Sequence, residues 1–301
     1  MARALQLATM GGTEVSPNPF VGAVIVAQGR IIGEGYHRRY GGPHAEVNAL
    51  RSVSEADREL LGESTMYVTL EPCSHFGKTP PCADLILSSG IRRVVVATED
   101  PFEAVSGKGI AKLRAGGVEV EVGLMRDEAR YLNRRFFTAH ELKRPYILLK
   151  WAQSADGFIA GEGGEPVKLS TPYTSVLMHR ERAFYDAIFV GTDTILNDNP
   201  RLTCRLWPTR DPERRPLAVT FDSPRLRGES KAELRGIVKK PRGMDLGDFM
   251  HSLYESHGVT SLMVEGGRKT LESFIEAGLF DETRIEVSPI TLGSGIRAPE
   301  F

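Results

Sequence analysis

The chain has 301 residues, of which 41% are hydrophobic and 26% charged, and its formal net charge is −1. This is the composition of an ordinary soluble globular protein, and a chain of this length predicts about two domains. The near-neutral charge argues against a general nucleic-acid-binding protein. No apolar run reaches the roughly 18 residues of a membrane-spanning helix, and the N-terminus lacks the long apolar core of a signal peptide.

The first half of the chain alternates strands and helices. Residues 2–10 predict a short helix, and residues 21–27 predict a strand that returns through a hairpin turn at Gln28-Gly29-Arg30. A helix follows His44, because AEVNALRSV is apolar at helical spacing, and MYVTL at residues 66–70 predicts a strand. Further on, the pattern predicts a helix at 83–90, strands at 91–100 and 118–124, and a helix at 127–140. This alternation predicts a three-layer α/β domain.

The most informative stretch lies between His44 and Cys82. It opens with His44-Ala45-Glu46 and closes with EPCSHFGKTPPC, so it contains a histidine, two cysteines and a glutamate that is not needed as a ligand. Imidazole and thiolate suit Zn²⁺, and three protein ligands leave a position for water, whose pKa falls to about 7 on binding. Zinc nucleobase deaminases combine the same ligand types with a glutamate as general acid and base. We therefore expect His44, Cys73 and Cys82 to bind one zinc ion per chain, and Glu46 to be the catalytic residue.

The HAE and PCSHFGKTPPC motifs resemble those of the bifunctional deaminase/reductase family of riboflavin biosynthesis, called RibD or RibG. The resemblance covers residues 1 to 143 and implies a cytidine-deaminase-like fold for this zinc-dependent pyrimidine deaminase domain. The loop between the two cysteines is longer than a short PCxxC spacing, and its basic character suits the phosphorylated substrate of the family. In this family, the positions matching Asn18, His37, His75, Lys78 and Asp100 hold that substrate. Taken without the resemblance, Asn18 is more typical of a turn and His37 of a surface histidine.

The second half begins after a linker at Lys143-Arg144-Pro145, with the strand PYILLK. Residues 150–157 match the K-x-x-x-S-x-D-G pattern of the dihydrofolate-reductase-like domain of the same family, which implies a reductase domain over residues 146–301. We predict a helix over 171–185, a buried strand AIFVG and then a sharp turn at residues 191–194. The strand SLMV precedes VEGGRKT, which opens another helix.

Two features of this half favour phosphate binding. A strand, two glycines and a helix start form a candidate cradle, because bare N–H groups and the positive end of the helix dipole favour anions. Its spacing is not that of the Rossmann motif. Arg182 and Arg205 are candidates for gripping a phosphate, since guanidinium binds phosphate oxygens bidentately. Either arginine taken alone is more simply explained as a solvated surface residue.

The resemblance also implies roles for individual residues of the reductase half. In this family, NADPH supplies the hydride, and the position matching Asp198 lies where substrate and nicotinamide meet. A further role for Lys150 and Lys168 in the reductase stays open. The positions matching reductase substrate contacts are Arg182, Leu202, Arg205 and Glu265, and those implied for cofactor binding are Ala152, Thr194, Asp198, Ser223, Gly266 and Gly267.

Three departures from the family pattern concern the second half. Val167-Lys168-Leu169-Ser170 stands where the family has a polar-aromatic stretch, often containing Trp-Ile-Thr. Residues 224–250 are polar, with only a weak strand at 236–238 where we expect a clear one. The chain stops at LGSGIRAPEF, where the family continues with more strands. Either a C-terminal part is missing or this reductase sheet is incomplete, and the sequence leaves both alternatives open.

Together these features predict a cytoplasmic bifunctional enzyme of riboflavin biosynthesis. It would deaminate a diamino-hydroxy-(phosphoribosylamino)pyrimidine and then reduce the ribosyl chain of the product to ribityl with NADPH. With two of three cysteines assigned to zinc, no disulfide framework is expected. We expect a homo-oligomer, a dimer or tetramer, and neither a nucleic-acid nor a membrane partner. The alternatives are a deaminase of another base, nucleoside or tRNA, an enzyme active in its first domain alone, and a non-catalytic zinc scaffold with His75 as fourth ligand.

Overall fold

The computed structural model of the chain describes residues 1–74, 81–102, 105–209, 215–226 and 236–300. The chain divides into two compact units, Met1–Glu141 and Leu142–Phe301. Each unit has its own main sheet. Among the described residues, no helix is both long and apolar enough to cross a membrane.

The first unit contains a mixed five-stranded sheet whose strands alternate with helices along the chain. In chain order the elements are α1 (Ala2–Thr9), β1 (Gly22–Ala27), β2 (Arg30–Tyr36), α2 (Ala45–Ser52), β3 (Thr65–Val68), α3 (Cys82–Ser89), β4 (Arg93–Val96), α4 (Lys108–Ala115), β5 (Glu119–Val122), α5 (Arg126–Leu132) and α6 (Arg134–Leu142). The strand order is β2-β1-β3-β4-β5. β1 is antiparallel to β2 and β3, whereas β3, β4 and β5 are parallel, so β3 and β4 end at the same edge.

Alternate residues of β1 face two separate cores. Ala23 and Ile25 pack in the same core as Ala49 of α2. Val24 packs instead with Leu7 of α1. Because successive side chains of a strand point to opposite faces, helices cover this sheet on both sides, which makes the unit a three-layer α/β fold.

A close contact between β2 and α2 fixes the start of that helix. A Cβ atom on Gly35 would lie 2.2 Å from the backbone nitrogen of Ala49 and 2.5 Å from the carbonyl oxygen of Ala45. Asn48 Nδ2 also donates to the carbonyl oxygen of Tyr36 at 2.8 Å. The glycine therefore lets the helix backbone approach the sheet, and His44 and Glu46 at its start are held in place.

The second unit is built around a six-stranded parallel sheet with helices between the strands. In chain order the elements are β6 (Tyr146–Gln153), β7 (Phe158–Ala160), α7 (Pro172–Arg182), β8 (Ala187–Phe189), α8 (Thr192–Asp198), β9 (Leu217–Phe221), β10 (Val238–Lys240), α9 (Leu246–His257), β11 (Ser261–Val264), α10 (Arg268–Glu276), β12 (Glu282–Val287) and β13 (Ile296–Arg297). The strand order is β10-β9-β8-β11-β6-β12, and β13 pairs with β7 in a separate ladder.

Strand β6 shows that this sheet too is covered on both faces. Ile147 and Leu149 belong to the core that contains Phe249 of α9 and Phe274 of α10. Leu148, between them, belongs to a second core that contains Tyr185 and Ile195. The apolar run YILL of β6 is therefore buried on both sides, as is usual for a strand inside a parallel sheet.

One predicted helix is divided in two. The helix expected over residues 127–140 is interrupted at Asn133 between α5 and α6. The side chain of Asn133 is bound to Phe20, since its Oδ1 accepts from the backbone nitrogen at 2.7 Å and its Nδ2 donates to the carbonyl oxygen at 2.8 Å. The side-chain amide of Asn133 is thus bound to a segment that is distant in the sequence, at the point where the predicted helix is interrupted.

The prediction of a sharp turn at residues 191–194 is wrong, because these residues begin a helix. Gly191 is the N-cap of α8, and its carbonyl oxygen accepts the first helical bond, from the nitrogen of Ile195 at 3.1 Å. In the polar stretch 224–250, the structure has the edge strand β10 and the start of α9, while residues 227–235 lie outside the described residues. The expected clear strand is thus a three-residue edge strand, and α9 is an element that the sequence did not predict.

Candidate functional site

His44, Cys73 and Cys82 come together in the first unit. His44 is the N-cap of α2, Cys73 follows β3, and Cys82 is the first residue of α3. One ligand atom from each residue lies within 4.8 Å of the others. His44 Nδ1 is 3.5 Å from Cys73 Sγ and 3.3 Å from Cys82 Sγ. A strand end and two helix starts thus converge on one point.

The geometry of this cluster fits a zinc ion. With Zn–S bonds of about 2.3 Å and a Zn–N bond of about 2.0 Å, a tetrahedral angle separates nitrogen from sulfur by about 3.5 Å. The observed separations, 3.5 and 3.3 Å, are close to this value. One imidazole and two thiolates also form the three-ligand set of a catalytic zinc site, which leaves one position for water. Among the described residues, no other group of three such side chains converges.

The protonation states around the cluster follow from burial and hydrogen bonding. Glu46, in the first turn of α2, is 3% exposed. Burial raises the pKa of Glu46 to about 6, although the nearby His44 opposes the shift. A hydrogen bond from Cys82 and a second from His44 lower the pKa of Cys73, so that its thiolate is favoured. A buried carboxyl group with a pKa near neutrality can both accept and donate a proton, which is what general acid–base catalysis requires.

His37 and Asn18 form a hydrogen-bonded pair beside the cluster. His37 Nδ1 lies 3.1 Å from the carbonyl oxygen of Pro43, which can only accept, so Nδ1 carries the proton. His37 Nε2 then accepts from Asn18 Nδ2 at 3.1 Å. The tautomer of His37 therefore fixes the orientation of the Asn18 amide. Burial lowers the pKa of His37, which keeps the ring neutral.

Asp100 lies beyond the end of β4 and is 8% exposed. Its Oδ1 accepts from the backbone nitrogen of Phe102 at 2.8 Å. Burial raises the pKa of Asp100 to about 7, and the charge of Glu71 adds to the rise. His75 and Lys78, the other two predicted substrate residues, lie outside the described residues.

In the second unit, the predicted residues follow neighbouring parallel strands. Thr194 comes after β8, Ser223 after β9 and Glu265 directly after β11, while Ala152 lies near the end of β6. These four strands are adjacent in the order β9-β8-β11-β6. Because the carboxyl ends of parallel strands meet at one edge of a sheet, these residues lie along the same edge.

Arg182 and Glu265 form a buried, bidentate ion pair at this edge. Arg182 Nε donates to Glu265 Oε1 at 2.8 Å and Nη2 donates to Oε2 at 2.5 Å. Burial opposes the ionisation of Glu265, but the charges of Arg182 and Lys150 outweigh it and lower its pKa. Arg182 Nη1 is 3.4 Å from the carbonyl oxygen of Thr203. The guanidinium is therefore largely occupied by protein groups, whereas Arg205 is exposed and its Nη1 donates to Thr203 Oγ1 at 3.0 Å.

A tight contact around Thr270 joins the starts of α8 and α10. A Cβ on Gly191 would lie 2.5 Å from Thr270 Oγ1, and one on Gly266 would lie 2.6 Å from Thr270 Cβ. Gly267, the N-cap of α10, faces open space instead. The two glycines after β11 thus differ: one is needed for packing, and the other leaves the helix N-terminus accessible to an anion.

The remaining predicted residues occupy varied surroundings. Leu202 is buried with a φ of 49°, and Asp198 is the exposed last residue of α8. Lys150 is half-buried in β6, close enough to Glu265 to influence its pKa. Lys168 is exposed, but Ser170 of the same stretch donates to Glu286 at 2.8 Å, which anchors that stretch to β12.

Two buried residues of these sites carry no signal in the sequence. His179 is 5% exposed, and its Nδ1 accepts from the backbone nitrogen of Leu206 at 3.4 Å. Burial and then the charges of Arg182 and Arg205 lower the pKa of His179 to about 4. Glu71 is 4% exposed and lies two residues before Cys73. A histidine within a polar helix and a glutamate before Pro-Cys look unremarkable until their distant partners are known.

Two family models match different parts of the chain. Residues 1–98 match the family model of the cytidine and deoxycytidylate deaminase zinc-binding region. Residues 145–300 match the model of the RibD C-terminal domain. The fold class predicted from the sequence, a cytidine-deaminase-like domain followed by a reductase domain, is confirmed.

Several proteins of known family match the chain over nearly its whole length. The riboflavin biosynthesis protein RibD of Aquifex aeolicus is 41% identical over 98% of this chain and 88% of its own. The structure of Acinetobacter baumannii RibD, form 1, superimposes with a TM-score of 0.89 at 34% identity, over 99% of this chain and 88% of that one. A Thermotoga maritima structure, described as a diaminohydroxyphosphoribosylaminopyrimidine deaminase/5-amino-6-(5-phosphoribosylamino)uracil reductase, gives 0.86 at 38% identity with the same coverage.

Proposed function

Because the chain belongs to the RibD family of riboflavin biosynthesis proteins, we propose that it catalyses two consecutive reactions of that pathway. The first is the hydrolytic deamination of diaminohydroxyphosphoribosylaminopyrimidine, and the second is the NADPH-dependent reduction of 5-amino-6-(5-phosphoribosylamino)uracil. The observation that carries the proposal is the converging His44, Cys73 and Cys82 beside a buried Glu46, in a chain whose second half matches the RibD C-terminal domain. We assign residues 1–143 to the deaminase and 146–301 to the reductase.

In the deaminase, His44, Cys73 and Cys82 would hold the zinc and Glu46 would carry the proton. Zinc, when bound, supplies a water molecule that ionises near neutral pH. Glu46 would accept one proton of that water and pass it to the ring nitrogen, and would then transfer the second proton, from the added hydroxyl group, to the amino group that departs as ammonia. Support for this role comes from its burial and from its pKa, raised to about 6, which lets the carboxyl group change protonation at low cost.

Substrate binding in the deaminase would rest on Asn18, His37 and Asp100, together with His75 and Lys78. Asn18 contributes an amide whose orientation is set by His37, so that Oδ1 is the acceptor left for the pyrimidine. Asp100 contributes a carboxyl group that Phe102 holds through its backbone nitrogen. Lys78 would provide a positive charge for the phosphate.

In the reductase, NADPH supplies the hydride when bound. The chain contributes a cradle for the cofactor pyrophosphate at Gly266 and Gly267, where the N-terminus of α10 opens at the end of β11. Ala152, Thr194, Asp198 and Ser223 would line the same sheet edge. Arg205 would bind the substrate phosphate, with Leu202 beside it. Arg182 and Glu265 would contact the substrate as well, and their ion pair would also hold the loop that carries Arg205 and Leu202. Lys150 and Lys168 are secondary candidates for a role in the reductase reaction.

We further propose that the protein acts in the cytoplasm as a homo-oligomer. Support for a reducing compartment comes from the ligand set, since thiolate ligands require reduced cysteines. Support for association comes from β12, an edge strand of the described sheet, where Ile285 and Val287 are 41% and 60% exposed. Light scattering of the purified protein tests the oligomer, and a mass equal to 33.1 kDa would contradict it.

The proposed reactions are tested together by a coupled assay on the purified chain. The phosphoribosylamino-pyrimidine is supplied with and without NADPH, and ammonia release and NADPH oxidation are recorded separately. We expect ammonia in both cases, and NADPH oxidation only after ammonia has begun to accumulate. A matched reaction with the dephosphorylated substrate tests whether the phosphate is recognised.

Three outcomes would contradict the proposal in different ways. Ammonia without NADPH oxidation would leave an enzyme active in its first domain alone. Equal rates with the dephosphorylated substrate would favour a deaminase of nucleosides. Stoichiometric zinc with neither activity would favour a structural zinc site.

A further inference from the structure

We infer that Glu71 is a positioning residue for the deaminase reaction. Its carboxylate holds the segment that carries Asp100 at a fixed place relative to the metal cluster. The inference rests on the proposed function, in which Asp100 contacts the substrate. Glu71 itself would touch neither the substrate nor the metal.

The carboxylate of Glu71 accepts four backbone hydrogen bonds. Its Oε2 accepts from the nitrogens of Asp100 at 3.2 Å and Gly107 at 2.9 Å. Its Oε1 accepts from the nitrogens of Gly109 at 2.9 Å and Ile110 at 3.1 Å. All four donors come from the stretch between β4 and the first turn of α4, which is distant from Glu71 in sequence. One buried side chain therefore gathers both ends of this stretch.

Glu71 also serves as the missing cap of α4. The N-cap residue of this helix is Gly107, which has no side chain, and the first turn contains no acidic residue. The first N–H groups of a helix have no partner within it and need an acceptor, preferably a negative one. Glu71 provides that acceptor from the end of β3, so the position of α4 is tied to the strand that leads to Cys73.

The backbone of the first turn of α4 packs directly against the backbone beside Glu71. A Cβ on Gly109 would lie 1.9 Å from the carbonyl oxygen of Pro72 and 3.2 Å from Glu71 Oε1. Pro72 is the residue between Glu71 and Cys73. The start of α4 thus rests directly on the segment that supplies a metal ligand, and a shift of one moves the other.

The pattern of bonds requires a carboxylate. Each oxygen of Glu71 accepts two N–H groups, so an isosteric glutamine must place its NH₂ group against two donors in either amide orientation. Glu71→Gln therefore changes the charge and two hydrogen bonds but hardly the shape. Aspartate keeps both oxygens on a shorter side chain and should preserve part of the function.

The experiment compares Glu71→Gln and Glu71→Asp with Glu99→Gln. Glu99 is the matched control, because it is exposed and directly precedes Asp100. For each full-length protein, kcat and KM of deamination, zinc content and the rate of the reductase reaction are measured. Amide hydrogen exchange is followed in peptides that cover residues 98–111.

We expect Glu71→Gln to raise KM at least tenfold and to change kcat less than threefold, because a misplaced Asp100 weakens substrate binding in the ground and transition states alike. Zinc should stay at one ion per chain and the reductase rate within twofold of wild type. Exchange in the 98–111 peptides should become at least tenfold faster. Glu71→Asp should lie between Glu71→Gln and wild type, and Glu99→Gln should match wild type.

Several results would overturn the inference. A KM within twofold of wild type in Glu71→Gln would mean that the four bonds do not position Asp100. Loss of zinc from that variant would mean that Glu71 maintains the metal cluster itself, and unchanged exchange would mean that the segment is held by other contacts. Absence of ammonia from the wild type would instead contradict the proposed function, so the two failures are distinguishable.

Discussion

Replacing Glu265 with glutamine should destabilise the second unit, because the buried guanidinium of Arg182 then loses its negative partner. The two side chains are 14% and 16% exposed and share two hydrogen bonds of 2.8 and 2.5 Å. Breaking a buried pair by removing one partner costs roughly 3–5 kcal/mol. Glutamine keeps one acceptor oxygen for Arg182, so we expect the lower end of that range, about 3 kcal/mol.

The double variant Arg182→Met with Glu265→Gln is more informative than either single change. It leaves no unpaired charge, so its cost should be smaller than the sum of the two single costs, by roughly 2 kcal/mol. Below the ordinary pKa of glutamate, the difference between the summed single costs and the cost of the double variant should shrink. The pKa of Glu265 is lowered in the folded state, so its contribution is complete above the unfolded value and is lost as the pH falls through the folded one.

Tryptophan fluorescence measures this unit selectively. The chain has two tryptophans, Trp151 and Trp207, and both belong to the second unit. Urea unfolding followed through them yields the free energy of that transition without a contribution from the first unit. Asp193→Asn is the matched control, because the ion pair of Asp193 with Arg225 has side chains 61% and 63% exposed. Its removal should cost less than about 1 kcal/mol.

The reasoning is refuted if Glu265→Gln is no more destabilising than Asp193→Asn. It is equally refuted if the double variant costs the full sum of the single ones, since the two charges would then act independently.

Three further predictions concern the zinc ligands, the proton carrier and a buried histidine. Glu46→Gln should keep its zinc and lose at least about 100-fold in deamination rate; zinc loss would contradict its role as a proton carrier. Cys82→Ala should lose zinc and destabilise the first unit while the tryptophan transition stays unchanged; retained zinc would exclude Cys82 as a ligand. Because His179 stays neutral down to a pKa of about 4, its contribution to the stability of the second unit should be complete above about pH 6.5 and be lost as the pH falls towards 4. His179→Gln should flatten that slope in urea titrations, and an unchanged slope would assign it to other groups.

The convergence of His44, Cys73 and Cys82 could be anticipated because each residue stands at an element boundary with a local signature. His44 precedes an apolar helical pattern, and Cys73 follows a β-branched and aromatic strand. A helix start and a strand end can be recognised within a window of a few residues.

The rest depends on contacts between residues far apart in the chain. The break at Asn133 comes with two hydrogen bonds to Phe20, and nothing in the sequence around residue 133 indicates them. Helix α8 has the sequence TDTILND, whose intrinsic helix propensity is weak, so its formation reflects packing of Ile195 in the core. The bonds of Glu71 are equally invisible, because a cap supplied by a residue far away in the chain leaves no local motif.

The contact around Thr270 also restricts how the second unit can diverge. Thr270 fills the space that a side chain at position 191 or 266 would need. A mutant library that varies these three positions one at a time should therefore recover only glycine at 191 and 266. Alanine at 270 removes the Oγ1 atom and so makes room for a methyl group at 191, whereas a methyl group at 266 needs glycine at 270, because its contact is with Cβ. The three positions should consequently vary together, and pairwise covariation between 270 and each glycine would be the trace of this contact among homologous sequences.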